Sequence, residues 1–172
     1  MDQHRVAKRL GIPFRRPRPE VVDQHTWPPY KLTLEIPVGE ENQPYVYLIT
    51  RCAAAAQMQG SGLQFLDHVS HMLWDGTVDN WPKHLGEYMD RAGLDGKAIL
   101  ADVKANPKKY DDRLDANNKV KAKTGHGGVP LMVFRGEPFF GQDKFDVFFW
   151  RLARNGLTRK DGAPLPSVSW TG

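Results

Sequence analysis

The sequence predicts an α/β protein in which a large all-helical lobe is followed by a small β-hairpin and a closing helix. Three observations carry this. Helical periodicity begins at Pro44 and persists for about eighty residues. The period then changes to a strand-like run at Val129–Phe134 and a return strand at Glu137–Phe140. An aromatic stripe, Phe145, Phe148, Phe149 and Leu152, then recurs at helical spacing.

Asp2 to Leu10 reads as a helix, with Val6 and Leu10 on one face and a stop at Gly11 and Pro13. Residues 12 to 43 contain six of the thirteen prolines, including Trp27-Pro28-Pro29-Tyr30, and read as an extended connection. Within it Lys31 to Ile36 alternates in polarity, which suits a short strand, although prolines bracket it.

In the lobe, Pro44 suits a first-turn position, and Tyr45 to Gln59 presents Leu48, Cys52, Ala55 and Ala56 before Gly60. Leu63 to Trp74 follows, with Leu66, Val69 and Leu73 as its apolar face and Gly76 as its stop. Asn80 is expected to cap a third helix that buries Leu85, Tyr88, Met89 and Ala92. A short helix follows Asp95, through Ile99 and Val103 to Asn106-Pro107, and a fifth carries Tyr110, Leu114 and Val120 to Thr124-Gly125. Arg135-Gly136 is the expected two-residue hairpin turn, and the last helix ends at Asn155-Gly156. The divisions are therefore 1–43 for the first helix and Pro-rich connection, 44–125 for the helical lobe, 126–157 for the hairpin and helix, and 158–172 for a loose tail rich in Gly, Pro, Ser and Lys.

Composition narrows the function. Of 172 residues, 40% are hydrophobic and 26% charged, enough for a packed core. The net charge of +4 is spread over several segments, Arg15, Arg16 and Arg18 early and Lys119, Lys121 and Lys123 late, which reads as solvated surface and not a nucleic-acid tail. Neither a signal-peptide core nor a run of about 18 apolar residues occurs, so no membrane association and a cytoplasmic location are expected. Cys52 is the only cysteine, so an internal disulfide, a Cys-x-x-Cys pair and a thiolate zinc site are excluded. Cys52 itself reads as a small core residue, and His68 and His71, at spacing three, lack third and fourth metal ligands nearby. No metal site is expected.

Two strands are too few for a stable sheet, and so aromatic a final helix needs a broader surface to cover. The missing sheet partners have to come from Lys31–Ile36, from another chain or from an upstream segment.

Several motifs are more specific. Gly125-His126-Gly127-Gly128-Val129-Pro130, Phe134-Arg135-Gly136-Glu137-Pro138-Phe139-Phe140-Gly141-Gln142-Asp143 and, upstream, Leu73-Trp74-Asp75-Gly76 with Asn80-Trp81 resemble the 2-hydroxychromene-2-carboxylate isomerase family. That family belongs to the DsbA-like thioredoxin superfamily and is related to the kappa-class glutathione transferases. The similarity runs from about Asp2 to Leu157. It implies an incomplete thioredoxin-like fold interrupted by a helical lobe and entered after the first strand-helix-strand unit. That unit carries the family's Ser-Pro-Tyr segment, whose serine contacts the glutathione sulfur. No Ser-Pro-Tyr occurs here, and no catalytic residue can be assigned.

The resemblance also implies glutathione as cofactor. The Val129–Pro130 bond is expected to be cis, exposing the Val129 main chain to pair with the cysteinyl backbone as an added strand. The competing reading is a turn that serves the hairpin alone. Gln142 and Asp143 open the last helix, where main-chain N–H groups favour the γ-glutamyl carboxylate and Asp143 its ammonium, while also acting as an N-cap. Trp74 and His126 are weaker substrate-pocket candidates: Trp74 is otherwise core, and His126 either reaches the ligand or caps the preceding helix. Two departures from the family stand out. Gly127 replaces a tryptophan, which loosens packing beside the ligand, and Lys144 replaces an arginine, which keeps charge but loses the planar fork.

The activity implied is a glutathione-dependent isomerisation of an aromatic catabolite by reversible thiol addition. The alternatives are a glutathione-binding module without turnover and a kappa-like transferase. The expected partners are a small aromatic substrate and either a second copy or another protein that completes the sheet.

Overall fold

A computed structural model describes residues 2–23, 39–163 and 165. The expected strand at Lys31–Ile36 and the segment Trp27–Tyr30 lie outside the described residues. The described residues form a helix-rich protein with one small two-stranded antiparallel sheet. The chain divides into two compact units, Met1–Leu114 and Asp115–Gly172, and the division falls inside a helix.

The first unit holds α1 (Asp2–Leu10), α2 (Pro44–Met58), α3 (Gly62–Trp74), α4 (Leu85–Arg91), α5 (Gly96–Ala105) and the start of α6 (Pro107–Ala122). Pro44 begins α2 where its missing N–H costs nothing. Cys52, Ala54, Ala55 and Ala56 are buried on α2, and their small side chains let α3 and α5 approach closely. Phe65, Val69, Met72 and Leu73 form the buried face of α3. Leu66, expected on that face, is 60% exposed, because a stripe through Phe65 and Val69 places it on the opposite side.

Asn80 does not cap a helix. It adopts a left-handed conformation, φ 54° and ψ 52°, without a side-chain cap hydrogen bond. A 3-10 turn at Trp81–Lys83 follows, and α4 starts only at Leu85. The reason lies in Trp81, which is fully buried and tied on both sides: its main-chain N–H donates to Arg18 C=O (3.2 Å) and its indole Nε1–H to Pro19 C=O (2.7 Å). Burial of one such ring contributes about 2–3 kcal/mol. Leu85, Tyr88, Met89 and Ala92 are buried as expected. Asp95 caps α5 by accepting from the Ala98 N–H at 2.8 Å. On α6 Tyr110 is buried, whereas Val120 is 65% exposed.

Among the described residues of this unit, Arg51 is the one buried charge, and the apolar pattern does not anticipate it. Its Nη1–H and Nη2–H donate to Glu40 Oε1 and Oε2 (2.6 and 2.8 Å), and its Nε–H and Nη2–H to Asp111 Oδ1 and Oδ2 (2.8 and 2.9 Å). These bonds, to Asp111 first and Glu40 second, raise the guanidinium pKa further. Arg51 thereby ties α2 to α6 and to the turn that precedes α2.

The second unit holds the end of α6, β1 (Leu131–Phe134), β2 (Glu137–Phe140) and α7 (Phe145–Arg154). Phe139 is buried between the strands and α7, where its ring meets Phe148 edge-on at 5.3 Å. No residue of α7 is buried, and Phe145 and Trp150 are 39% and 52% exposed. No described helix is long and apolar enough to cross a membrane.

Candidate functional site

The site residues of the second unit are organised by the hairpin. Arg135 and Gly136, with φ of 52° and 84°, form a turn with both central residues left-handed, the geometry that matches strand twist. The register is Leu131↔Phe140, Met132↔Phe139, Val133↔Pro138 and Phe134↔Glu137. A two-residue turn makes Phe134↔Glu137 a hydrogen-bonded pair, so hydrogen-bonded and open pairs alternate outward from it. The Gly141 N–H bond to Pro130 C=O, at 3.0 Å, continues that alternation.

Two consequences follow. Pro138 occupies an open pair, so its missing N–H lies on the outer edge of β2, where it blunts that edge. On β1 the main-chain groups of Leu131 and Val133 point away from β2, and Val129 lies just before that row, outside the strand. Val129 is 76% exposed, and among the described residues its main chain makes no hydrogen bond. The Val129–Pro130 bond is cis.

The Pro130–Gly141 contact also sets Gln142 and Asp143 at the same end of the hairpin as Val129 and Pro130. Here one expectation is corrected. Asp143 does not cap a helix: Gln142–Lys144 is a 3-10 turn whose capping position is Gly141, α7 begins at Phe145, and neither start carries a side-chain cap bond. The Asp143 carboxylate instead lies 3.2 Å from Lys144 Nζ. It is well exposed, as is Gln142.

His126 stacks on Phe140 at 5.7 Å and 23°, and its main-chain N–H donates to Thr124 Oγ1 just past α6 at 3.2 Å. The Phe140 ring also covers Gly128, where a Cβ would overlap the ring. Gly127 faces open space, with nothing within 4 Å of a Cβ built there. An aromatic floor of His126 and Phe140 thus precedes the exposed Val129 main chain. Hairpin and α7 are joined by Arg151 Nε–H donating to Glu137 Oε2 (2.7 Å) and by Arg135 Nη1–H donating to Asn155 Oδ1 (2.9 Å).

Trp74 belongs to the first unit, at the end of α3. It is 38% exposed and stacks on Phe14 at 5.7 Å and 8°. Sequence reasoning missed Gly128 and Phe140 as a contact pair, and the outward row of β1. The signal for the row was the two-residue turn, which fixes the alternation once Pro138 is placed in it.

No protein-family model, no curated protein and no solved structure matches this chain.

Proposed function

We propose that this chain carries the glutathione-contacting edge of an isomerase of the 2-hydroxychromene-2-carboxylate type, built as an incomplete thioredoxin-like fold with a helical lobe and acting on an aromatic catabolite in the cytoplasm. One observation carries the reading: the Val129 main chain is exposed, unpaired among the described residues, and stands two residues before the outward donors and acceptors of β1.

The residues present fit the tripeptide in part. The Val129 N–H and C=O offer a cysteinyl backbone the paired bonds of an added strand. Asp143, exposed at the same end of the hairpin, offers a carboxylate to the γ-glutamyl ammonium, with Gln142 beside it. When bound, glutathione supplies the nucleophilic thiol. No Ser-Pro-Tyr segment is present among the 172 residues, so the hydroxyl that activates the thiol comes, in this reading, from another segment or chain. The same partner, or a second copy, completes the sheet along β1.

Saturation-transfer NMR on the full chain tests the reading. Transfer to the cysteinyl and glycyl protons of glutathione is expected, and no transfer at millimolar glutathione removes the proposal. A second reading, a glutathione-binding module without turnover, is favoured by the two-stranded sheet and the missing serine motif. Isomerisation of a chromene-type substrate by this chain alone rules that module out, and a conjugate accumulating in mass spectra points to a transferase.

A further inference from the structure

The segment after α1 is held against the helical lobe at several points. Arg15 N–H donates to Trp74 C=O (2.7 Å), and Arg18 C=O and Pro19 C=O accept from Trp81 as described. Phe14 stacks on Trp74, and His4 meets Phe14 edge-on at 4.9 Å. Pro17 and Pro19 fix two further φ angles. The main chain of the tract Arg15-Arg16-Pro17-Arg18 is therefore held in place, and three guanidinium groups project from it, those of Arg16 and Arg18 largely exposed.

Those groups line one open concavity of about 400 Å³ together with His4 and Glu20. The carboxylates nearby leave them incompletely matched. Arg15 Nη2 lies 3.0 Å from Asp79 Oδ1 and donates to Val78 C=O at 2.8 Å. Arg18 is 4.0 Å from the same Asp79 oxygen, and Arg16 is 3.6 Å from Glu20, both beyond hydrogen-bond length. The Nε–H of Arg15 is buried and has no hydrogen-bond partner among the described residues. That atom packs toward Gly76 and not into the open concavity, so the Arg15 guanidinium is one bond short on its inner side, and it is the outer nitrogens of the three arginines that meet a ligand there.

We propose that this concavity binds a small oxyanion, the phosphate or carboxylate group of a low-molecular-weight ligand, held by Arg15, Arg16 and Arg18. The anchored backbone removes the main-chain share of the ordering cost, and the planar forks match oxyanion geometry. Asp79 and Glu20 act as internal competitors whose removal strengthens binding. The site lies wholly in the first unit and stands independently of the glutathione reading.

The test is a titration of the full, isotopically labelled chain with inorganic phosphate and, separately, with acetate, each against chloride at equal ionic strength. The readout is the Arg15 Nε–Hε resonance. A saturable shift is expected with at least one of the two anions, and whichever saturates at the lower concentration identifies the oxyanion class. Arg16→Gln and Arg18→Gln should each weaken binding about two- to fivefold, and Asp79→Asn should tighten it by a similar factor. Arg15 is left in place because it also ties the segment to Val78. Shifts no larger than those with chloride, or weaker binding in Asp79→Asn with an unchanged melting curve, would overturn the proposal.

Discussion

The ring of Phe140 fills the space that a β-carbon on Gly128 would need, so the last residue of β2 and the turn before β1 fix each other's position. Gly128→Ala must push the ring aside and is expected to cost about 1–3 kcal/mol, read in a denaturant melt. Gly127→Trp, one position earlier, enters open space and is expected to stay within about 0.5 kcal/mol of the parent. Equal costs at the two positions would mean that Phe140 does not rest on Gly128.

Main-chain recognition predicts an unusual pattern at Val129. Val129→Ala keeps the N–H and should leave saturation transfer to glutathione within about twofold. Val129→Pro removes the donor and should abolish it while the first unit melts unchanged. Loss of transfer in the alanine variant would point to the side chain and count against the added-strand geometry.

The Arg51 bridge spans sixty residues of sequence to Asp111 and eleven to Glu40. Arg51→Ala leaves two carboxylates facing each other. Because both keep access to water, the expected loss falls below the roughly 3–5 kcal/mol of a fully buried pair, to about 2–3 kcal/mol.

The Arg51 hydrogen bond holds the Glu40 carboxyl below its ordinary value of 4.5. A carboxylate depressed in the folded state contributes fully above its unfolded pKa and loses that contribution as pH falls through the folded one. Glu40→Gln should therefore lower stability at neutral pH and converge on the parent in acid. A constant difference at all pH values would remove the charge from the account.

Burial pushes the Cys52 thiol up to about 12. In the folded protein a thiol reagent should react at least about a hundredfold more slowly than in denaturant, and the slow rate should follow the opening of the first unit. Fast labelling under native conditions would show that α2 does not bury this face.

Much of the architecture was legible because it rests on short-range chemistry. The buried positions Leu85, Tyr88, Met89 and Ala92 and the Arg135-Gly136 turn are each set by neighbours within a few residues. Leu66 was misplaced because Phe65 and Leu66 are both apolar, and only the lobe's packing decides which faces inward. Asn80 looked like a cap, yet the anchoring of Trp81 to Arg18 and Pro19, some sixty residues away, sets the chain path there. The carboxylate of Asp143 faced a choice between capping and pairing with Lys144, and spacing alone does not rank those options.

Pro138 gives the hairpin a polarity with a practical outcome. A newcomer strand finds its full ladder of partners only along Leu131 and Val133, while the opposite flank offers a gap where a donor should be. Growth from such a unit is one-sided: two copies meeting through β1 would close on each other as a four-stranded pair and stop, and the same sequence would be a poor seed for fibres.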